Sequence, residues 1–282
     1  MKKKILILAG GFSKEKEISL KTAKGVFNQI KKKYNVRICE PNGNLIKNLR
    51  LFKPDVVFNA LHGRYGEDGY IQSILESEKI KYTHSGVLSS SVAIDKEISK
   101  NIFIKKNILT PKYFKFKFNK FRKKSELKKK IKSKLSFPVV IKPFNEGSSV
   151  EVYICSKNNF YKNLHKLSSY KEIMIEKYIP GREIQVAILG GKVLGAIELR
   201  PTRKFYDYEA KYNTNAKTQH IIKIDLPKKK LKEVLKIAHK AHKIIGCKGV
   251  TRSDFKFYNG KFYLLEINTQ PGMTKLSLVP EI

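Results

Sequence analysis

Four polar residues near the end of the chain have the types needed to bind a metal ion beside a phosphate. The stretch from Lys248 to Met273, KGVTRSDFKFYNGKFYLLEINTQPGM, alternates apolar and polar residues on both sides of Asn259-Gly260, which predicts two strands and a tight turn. Its three oxygen donors and one cation are Asp254, Glu266, Asn268 and Arg252. Oxygen-only ligand sets suit Mg²⁺, which commonly accompanies phosphates. The alternative is a solvated sheet face with one incidental ion pair.

The metal interpretation sets a condition on the turn between the two strands. A two-residue turn at Asn259-Gly260 would place the two carboxylates on opposite faces of the hairpin. A three-residue turn starting at Tyr258, with Gly260 left-handed, would set Arg252 across from Glu266 and bring all three oxygen donors to one face. If these residues form a site, the sequence therefore predicts the three-residue turn, and a two-residue turn without a compensating bulge would count against the site.

The first third of the chain has the pattern of a doubly wound parallel sheet. Three short apolar runs with the character of buried strands lie at Lys3–Ala9, Asn35–Cys39 and Asp55–Ala60. The apolar residues of Ile18–Ile30 follow the helical period, which gives the β-α alternation of such a sheet. Ligands bind beyond the carboxyl ends of its strands. Two polar loops follow strands there, GGFSKEKEIS with Glu15 and HGRYGEDG at residues 62–69.

Each polar loop also has a plain structural interpretation. Glu15 could receive a substrate ammonium, or it could only favour the dipole of the following helix. The glycines of residues 62–69 could be ordinary turn residues, although His62 and the two carboxylates between them favour a functional loop. The segment NEGSSVEV, which follows the apolar run ending in Lys142, could cover phosphates with its N–H groups or could be a turn between strands.

The remaining sequence predicts further strands, three helices and one long loop. The strands are expected at Tyr113–Phe118, Phe137–Pro143, Glu172–Tyr178, Gln185–Gly190 and Lys192–Leu199. The helices are expected around Val92–Lys106, at Ser125–Leu135 and at Lys229–Ile245, where Gly246 ends the last one. Residues 201–219 have no regular period and are rich in tyrosine and charge, so we expect a long loop of the kind that often forms a lid.

The charge of the chain is strongly positive, at +35. That value suits a nucleic-acid binder. However, most of the 59 basic residues are lysines spread over every segment, whereas arginine usually contacts bases and phosphates. We therefore expect no specific nucleic-acid partner and only non-specific polyanion binding at low salt.

The scattered Cys39, Cys155 and Cys247 argue against a disulfide framework, and no apolar run approaches the roughly 20 residues that span a bilayer. We expect a cytoplasmic protein without a membrane partner.

Eight segments, taken together, resemble the D-alanine–D-alanine ligase family of the ATP-grasp superfamily. They are GGFSKEKEISL, ALHGRYGEDG, YTHSGVLSS with the following DK, VIKPFNEGSSV, IEKYIPGREI, FYDYEAKY, GCKGVTRSD and FYLLEINTQPGMTKLSLVP. They occur in the order of the family and cover nearly the whole chain. The resemblance implies an α/β and α+β fold class, as a three-domain ATP-grasp fold with an N-terminal doubly wound parallel-sheet domain.

The resemblance also implies how the chain is divided and what it does. Residues 1–95 would bind substrate, 96–179 would form the central ATP-grasp subdomain, and 180–282 would form the C-terminal ATP-grasp and catalytic domain with a lid at 201–219. The family joins two D-alanines with ATP through an acyl phosphate, for peptidoglycan precursor synthesis. The implied cofactors are ATP and two Mg²⁺ ions, with Mn²⁺ as a substitute and K⁺ as a further candidate, and a homodimer is expected.

Two other functions stay open beside this one. The first is a D-alanine–D-lactate ligase, or a ligase for another D-amino acid, of the same superfamily. Tyr212 in the YEAKY segment argues for an amine nucleophile, because relatives that accept a hydroxy acid tend to depart from that segment. The second is a basic nucleic-acid-binding protein on an inactive ligase fold.

By the same resemblance, one set of residues would bind the nucleotide and its metal ions. Asp254, Glu266 and Asn268 would hold the two Mg²⁺ ions. Lys96, Lys142 and Lys211 would contact the phosphates. Glu176, with the backbone around Lys177 and Ile179, would contact adenine, and Glu183 would contact the ribose.

A second set would bind the amino acids and stabilise the reaction. Glu15 would hold the first ammonium, near His62, and would link with Ser148 and Tyr212 when the lid closes. Arg252 would stabilise the transferring phosphoryl group and the tetrahedral intermediate. The Gly272 amide would contribute to the oxyanion site, and Ser277 with Leu278 would contact the second carboxylate.

The chain departs from the family pattern at two places. The family usually has glycine where Glu151 stands, and a carboxylate beside phosphates is unfavourable. We therefore expect the Glu151 side chain to point away from the phosphates, or the loop to be shifted. The sequence given ends at Ile282, where relatives continue into a final helix, which leaves open a functional short form or an impaired copy.

Overall fold

Three β-sheets form the framework of the protein, which we describe from a computed structural model covering residues 2–120, 124–147, 151–200, 218–274 and 276–282. The first sheet is parallel, with the strand order β2-β1-β3. Its strands are β1 (Lys4–Leu8), β2 (Asn35–Cys39) and β3 (Val56–Asn59). Its helices are α1 (Lys16–Ile30), α2 (Leu45–Phe52) and α3 (Tyr70–Ser77).

The helices of this first unit cover both faces of its sheet. Ile7 of β1 packs with Ala23 of α1, whereas Leu6 of β1 packs with Leu49 of α2 and Ile71 of α3. This alternation follows from the period of two along a strand. The predicted doubly wound arrangement is confirmed, and the carboxyl ends of β1 and β3 lead into the two polar loops identified in the sequence.

The segment expected as one helix around Val92–Lys106 is divided in two, so that prediction was wrong. Helix α4 (Val87–Ile94) ends before Asp95, and α5 (Lys96–Lys105) begins after it. Asp95 has an extended backbone, with φ −80° and ψ 103°, and its side chain accepts hydrogen bonds from the N–H groups of Glu97 and Ile98. An aspartate in this conformation is a strong N-cap, so it starts a new helix.

The second sheet is antiparallel, with the strand order β4-β7-β5-β6. Its strands are β4 (Tyr113–Lys117), β5 (Val139–Lys142), β6 (Tyr153–Cys155) and β7 (Glu172–Lys177). Helices α6 (Lys124–Lys134) and α7 (Phe160–Lys166) pack on one face, against Ile141 and Ile175. Because side chains alternate along a strand, Lys142 and Glu176 lie on the opposite face.

The third sheet is also antiparallel, with the strand order β10-β9-β8-β11-β12. Its strands are β8 (Arg182–Leu189), β9 (Lys192–Arg200), β10 (Gln219–Ile221), β11 (Val250–Tyr258) and β12 (Lys261–Asn268). Helix α8 (Lys228–Ile245) covers one face through Val234 and Ala238, and Gly246 ends it with φ 74°. A short helix, α9 (Leu278–Glu281), closes the described chain.

The first and third units are joined by direct contacts. Ala93 of α4, in the range 1–95, lies in the same apolar core as Phe255 of β11 and Ala238 of α8. The Ser85 hydroxyl bonds to both the N–H and the C=O of Lys248, at 3.2 Å each. The three sheets fall within the expected ranges 1–95, 96–179 and 180–282, although those domain limits themselves stay a prediction. Within the described ranges, no helix is long and apolar enough to cross a membrane.

Candidate active site

The turn of the β11–β12 hairpin differs from the prediction. Tyr258 pairs directly with Lys261, so the turn has two residues, Asn259 and Gly260. Both have positive φ, 47° and 71°, as the two-residue turns that match strand twist require. The expected three-residue turn is therefore wrong. Taken alone, this register would place Asp254 and Glu266 on opposite faces.

A β-bulge restores the shared face. Phe255 pairs with Leu264, but Asp254 pairs with Glu266, so Leu265 is an extra residue on β12. An extra residue on one strand reverses the alternation beyond it. Asp254 and Glu266 are consequently cross-strand neighbours, and Arg252 lies across from Asn268 rather than from the predicted Glu266.

The charged groups of the hairpin already have partners. The Arg252 guanidinium donates from Nε and Nη2 to the two carboxylate oxygens of Asp254, at 2.8 and 2.9 Å. Lys96 Nζ lies 3.4 Å from Glu266 Oε2 and donates to the Glu146 carbonyl at 2.6 Å. The forked contact from Arg252 fixes the orientation of the Asp254 carboxylate.

This donor set fits a divalent cation such as Mg²⁺. Two carboxylates and one amide oxygen, from Asp254, Glu266 and Asn268, share one face of the hairpin. Hard oxygen ligands are the preference of Mg²⁺. The Asn268 amide oxygen also accepts the Gln270 N–H at 2.7 Å, which orients it. Among the residues that the structure describes, no group of three or more His, Cys, Asp and Glu could hold a metal ion.

Glu15 and His62 come to the same region from the first sheet. Glu15 is buried at the start of α1, and a Cβ on Gly147 would come within 3.1 Å of its Oε2, so a larger residue there would crowd the carboxylate. His62 Nδ1 lies 3.4 Å from Glu67 Oε1, and its Nε2 lies 3.3 Å from the Thr22 hydroxyl. Burial would lower the pKa of His62, but the nearby carboxylates of Glu67 and Glu15, with the Gln270 backbone, outweigh it, and the pKa is raised.

One pocket unites residues from all three parts of the chain. It is lined by loop residues of the first unit, by the start of α5, by the loop after β5 and by the end of the hairpin. The predicted site residues that line it are Glu15, His62, Lys96, Arg252, Glu266, Asn268 and Gly272. Glu67, Glu146 and Gly147 also line it, although the sequence pattern assigns them no individual role. Carboxylates and cations therefore line the same pocket.

The predicted nucleotide residues form a second group, on the far face of the second sheet and on β8. Lys142 Nζ lies 2.9 Å from Glu176 Oε1, and both side chains are buried. Glu183 is paired with Lys256 across β8 and β11, and the two side chains are 2.9 Å apart. Two further residues were predicted to contact the nucleotide, Lys177 and Ile179. Lys177 is exposed and Ile179 is buried. Glu176 has a further lysine partner, because Lys100 Nζ lies 2.5 Å from its Oε2. Lys100 was not among the site residues predicted from the sequence.

The end of the chain supplies the last predicted residues. A Cβ on Gly272 would come within 2.8 Å of the Ser277 hydroxyl, so glycine lets the two segments approach. The Ser277 hydroxyl accepts the Thr274 N–H at 2.9 Å. Leu278 is buried against Ile197 and Leu199, so its side chain contributes to packing.

Some predictions concern residues outside the described ranges. These are Ser148, Lys211, Tyr212 and most of the lid at 201–219. The Glu151 carboxylate lies 3.7 Å from Lys14 Nζ, in the loop before α1. Its orientation relative to the phosphates stays a prediction, as do the individual roles of the other site residues.

Comparisons with known proteins show what the chain is similar to. The family model described as D-ala D-ala ligase C-terminus matches residues 102–282, and the one described as D-ala D-ala ligase N-terminus matches residues 45–85. A D-alanine–D-alanine ligase of Pelagibacter ubique is 68% identical over 283 aligned residues, covering 100% of this chain and 92% of the relative. One of Wolbachia pipientis wMel is 46% identical, covering 99% and 87%.

Two solved structures are also similar. A D-alanine–D-alanine ligase from Bacillus anthracis complexed with ATP has a TM-score of 0.84 and 33% identity, covering 99% of this chain and 90% of that one. The VanG D-Ala:D-Ser ligase from Enterococcus faecalis has a TM-score of 0.82 and 26% identity, covering 99% and 94%.

Proposed function

Since the chain belongs to the D-alanine–D-alanine ligase family, we propose how its residues divide the work of the ligation. The enzyme is an ATP-dependent ligase that joins two D-alanines, a step that the family performs for peptidoglycan precursor synthesis. The sequence-based assignment of family, fold class and activity is confirmed. The proposal concerns the residues, the metal ions and the substrates that follow from it.

The observation that carries the proposal is the pocket between the three parts of the chain. Glu15 enters it from the first unit, while Arg252 and Glu266 enter from the hairpin. A D-alanine bound by its ammonium at Glu15 would extend its carboxylate toward the cationic side. A buried carboxylate and a guanidinium that line the same pocket fit an amino acid that is held by its ammonium and phosphorylated at its carboxylate.

We assign the metal ions to the hairpin face. Asp254, Glu266 and Asn268 would hold divalent cations, and a bound cation would neutralise charge on the ATP phosphates. Lys96, which contacts Glu266, would contact the phosphates from the other side. Two Mg²⁺ ions, replacement by Mn²⁺ and a contribution of K⁺ are finer predictions that rest on the family.

The remaining side chains would act on the transferring groups. An oxygen of the first D-alanine carboxylate attacks the γ-phosphorus, the bond to ADP breaks, and an acyl phosphate forms. The amine of the second D-alanine then attacks the carbonyl carbon, phosphate leaves, and the amine loses a proton. Arg252 would stabilise negative charge in both steps, and the Gly272 N–H would face the developing oxyanion. Ser277 would orient the second carboxylate.

The second group of charged residues would bind the nucleotide base and ribose. Glu176 lies on the face of the second sheet that is turned away from α6 and α7, and Glu183 follows on β8. With Lys142 on the phosphates, the base, the ribose and the phosphates would lie in that order between the second and third sheets. Cytoplasmic location and a homodimer remain expectations from the sequence.

A ligase with another second substrate is the second candidate. The similarity to the VanG D-Ala:D-Ser ligase supports it, since that fold accepts a different second amino acid. The relative at 68% identity favours D-alanine.

Thermal melting tests the proposal. MgATP with D-alanine should raise the Tm more than MgATP alone, because a ligand that binds only the folded state stabilises it. D-lactate or D-serine added with D-alanine should give no further shift. A shift with an oligonucleotide at physiological salt, and none with MgATP and D-alanine, would favour the nucleic-acid-binding alternative instead.

A further inference from the structure

Lys100 is a completely buried lysine to which the reaction described above gives no role. It lies on α5, one turn after Lys96, and its exposed fraction is 0%. Its Nζ is 2.5 Å from Glu176 Oε2 and 3.4 Å from the Pro111 carbonyl, and lies over the Tyr113 ring at 5.6 Å. Burying an ammonium group is costly unless it is paired, so its position is set by Glu176.

Glu176 is held from both sides. Lys142, on β5, is 2.9 Å from Oε1, while Lys100, on α5, faces Oε2. Burial would raise the pKa of Glu176, but the charges of Lys100 and Lys142 outweigh it, so the pKa is lowered. Burial lowers the pKa of Lys100 to about 8. Glu176 is therefore held ionised, as one carboxylate between two lysine side chains.

The two lysines differ in what else they can reach. In the proposed function Lys142 also contacts the phosphates, so a bound nucleotide would share its charge. Lys100 is enclosed by α5, the segment at Pro111 and the second sheet, and has no exposed surface from which to reach a ligand. In the proposed function it would therefore be the partner that stays with Glu176 when nucleotide binds.

We infer that Lys100 is a positioning residue that holds Glu176 as a pure hydrogen-bond acceptor and so favours a purine with an exocyclic amine over one with a 6-oxo group. This inference rests on the proposed function, in which Glu176 faces the base. An ionised carboxylate only accepts hydrogen bonds. It attracts the 6-amino group of adenine and repels the 6-oxo group of hypoxanthine. A protonated Glu176 would have an O–H to donate and would discriminate less.

Lys100→Met is the direct test, with kcat and KM measured for ATP and for ITP at saturating D-alanine. Lys142 remains as a counter-charge, so the variant is expected to fold. The ratio of kcat/KM for ATP to that for ITP should fall by about tenfold or more, the scale of one hydrogen bond to a charged group. The change should lie mainly in KM, with kcat for ATP within about twofold of wild type.

The matched control is Lys105→Met, which removes an exposed lysine from the same helix. Its ATP-to-ITP ratio should equal that of wild type. A ratio unchanged in Lys100→Met, or kcat/KM lowered equally for both nucleotides, would overturn the inference and leave Lys100 a purely structural residue.

A double variant keeps the test decisive if Lys100→Met folds poorly. Lys100→Met combined with Glu176→Gln removes a positive and a negative charge together. If Lys100 acts through Glu176, the ATP-to-ITP ratio of the double variant equals that of Glu176→Gln alone. A further fall in the double variant would contradict the inference. Wild-type protein that releases no phosphate from ATP with D-alanine would instead refute the proposed function.

Discussion

Helix α5 carries two lysines that each contact a carboxylate, and the two contacts differ in burial. At the start of α5, Lys96 lies 3.4 Å from Glu266, whose side chain is 27% exposed and borders the pocket. One turn later, Lys100 lies 2.5 Å from Glu176, and their side chains are 0% and 3% exposed. We call these contacts the open pair and the closed pair.

The difference in burial indicates that the two pairs serve different functions. In the open pair, water and ligands can replace either partner, as the binding and release of metal and phosphates require. In the closed pair, separation would leave a charge in a medium of low dielectric, which is costly. The open pair therefore suits groups that change partners in each turnover, and the closed pair suits a group that recognises a constant part of the nucleotide.

Breaking the closed pair should give the largest effect on stability. Glu176→Gln removes the carboxylate that Lys100 and Lys142 share, and an uncompensated buried charge costs about 3–5 kcal/mol. Urea unfolding at neutral pH should show a loss of that order. The loss should shrink near pH 9, because Lys100 of the wild type, with a pKa of about 8, has then released its proton and no longer forms an ion pair that the variant could lose.

The control is Glu172→Gln, on the same strand, whose half-exposed carboxylate contacts Lys115 and Lys117. It should cost about 1 kcal/mol or less. Equal losses in the two variants would contradict the expectation that a buried ion pair costs more to break than a partly exposed one.

Changing the open pair should instead affect turnover. Glu266→Gln keeps the shape of the side chain but removes a charged metal ligand, so we expect kcat to fall by about 10²–10³-fold. The Tm should stay near that of wild type. Glu233→Gln, in the exposed pair with Lys230 on α8, should leave both quantities unchanged. A variant of Glu266 that unfolded would show that this residue is structural.

Loosening the helix that carries both lysines should have a moderate effect. Asp95→Ala removes the hydrogen bonds to the N–H groups of Glu97 and Ile98, at 2.9 Å each. Loss of an N-cap costs about 1 kcal/mol of unfolding free energy. Asp95→Asn can still cap and should retain most of the stability. If Asp95→Ala were as stable as wild type, the start of α5 would be fixed by packing alone.

The smallest expected effect is the pH dependence contributed by His62. Its pKa is raised above the ordinary 6.5, so the folded protein holds a proton that the unfolded chain loses. This stabilisation is complete below pH 6.5 and is lost as the pH rises through the raised pKa. The unfolding free energy should therefore fall more from about pH 6 to about pH 8.5 in wild type than in His62→Gln. Parallel slopes would contradict the assignment.

The sequence predicted the types of the site residues better than their geometry. Alternation and residue type were enough to select Asp254, Glu266 and Asn268. The three-residue turn was predicted in place of a two-residue turn compensated by a bulge at Leu265, because a strand pattern does not by itself fix the pairing register. One sign was present: the adjacent apolar residues Leu264 and Leu265 interrupt the alternation, as a bulge does.

Tertiary contacts explain the other misses. The role of Lys100 depends on α5 packing beside the second sheet, and a lysine four residues after another is ordinarily read as a solvated helix face. The break at Asp95 was within reach of the sequence, since aspartate followed by a helical pattern is a common N-cap. Both ends of all three strands of the first sheet were predicted to within one residue, because their apolar runs are short and clearly bounded.

Phosphate release from ATP, measured together with dipeptide formation, tests the central claim most directly. With MgATP and D-alanine, wild-type protein should release one phosphate for each D-alanyl-D-alanine formed, and Glu266→Gln should do so far more slowly. D-lactate in place of the second D-alanine should give no depsipeptide. Absence of phosphate release with D-alanine, even with K⁺ present, would contradict the account.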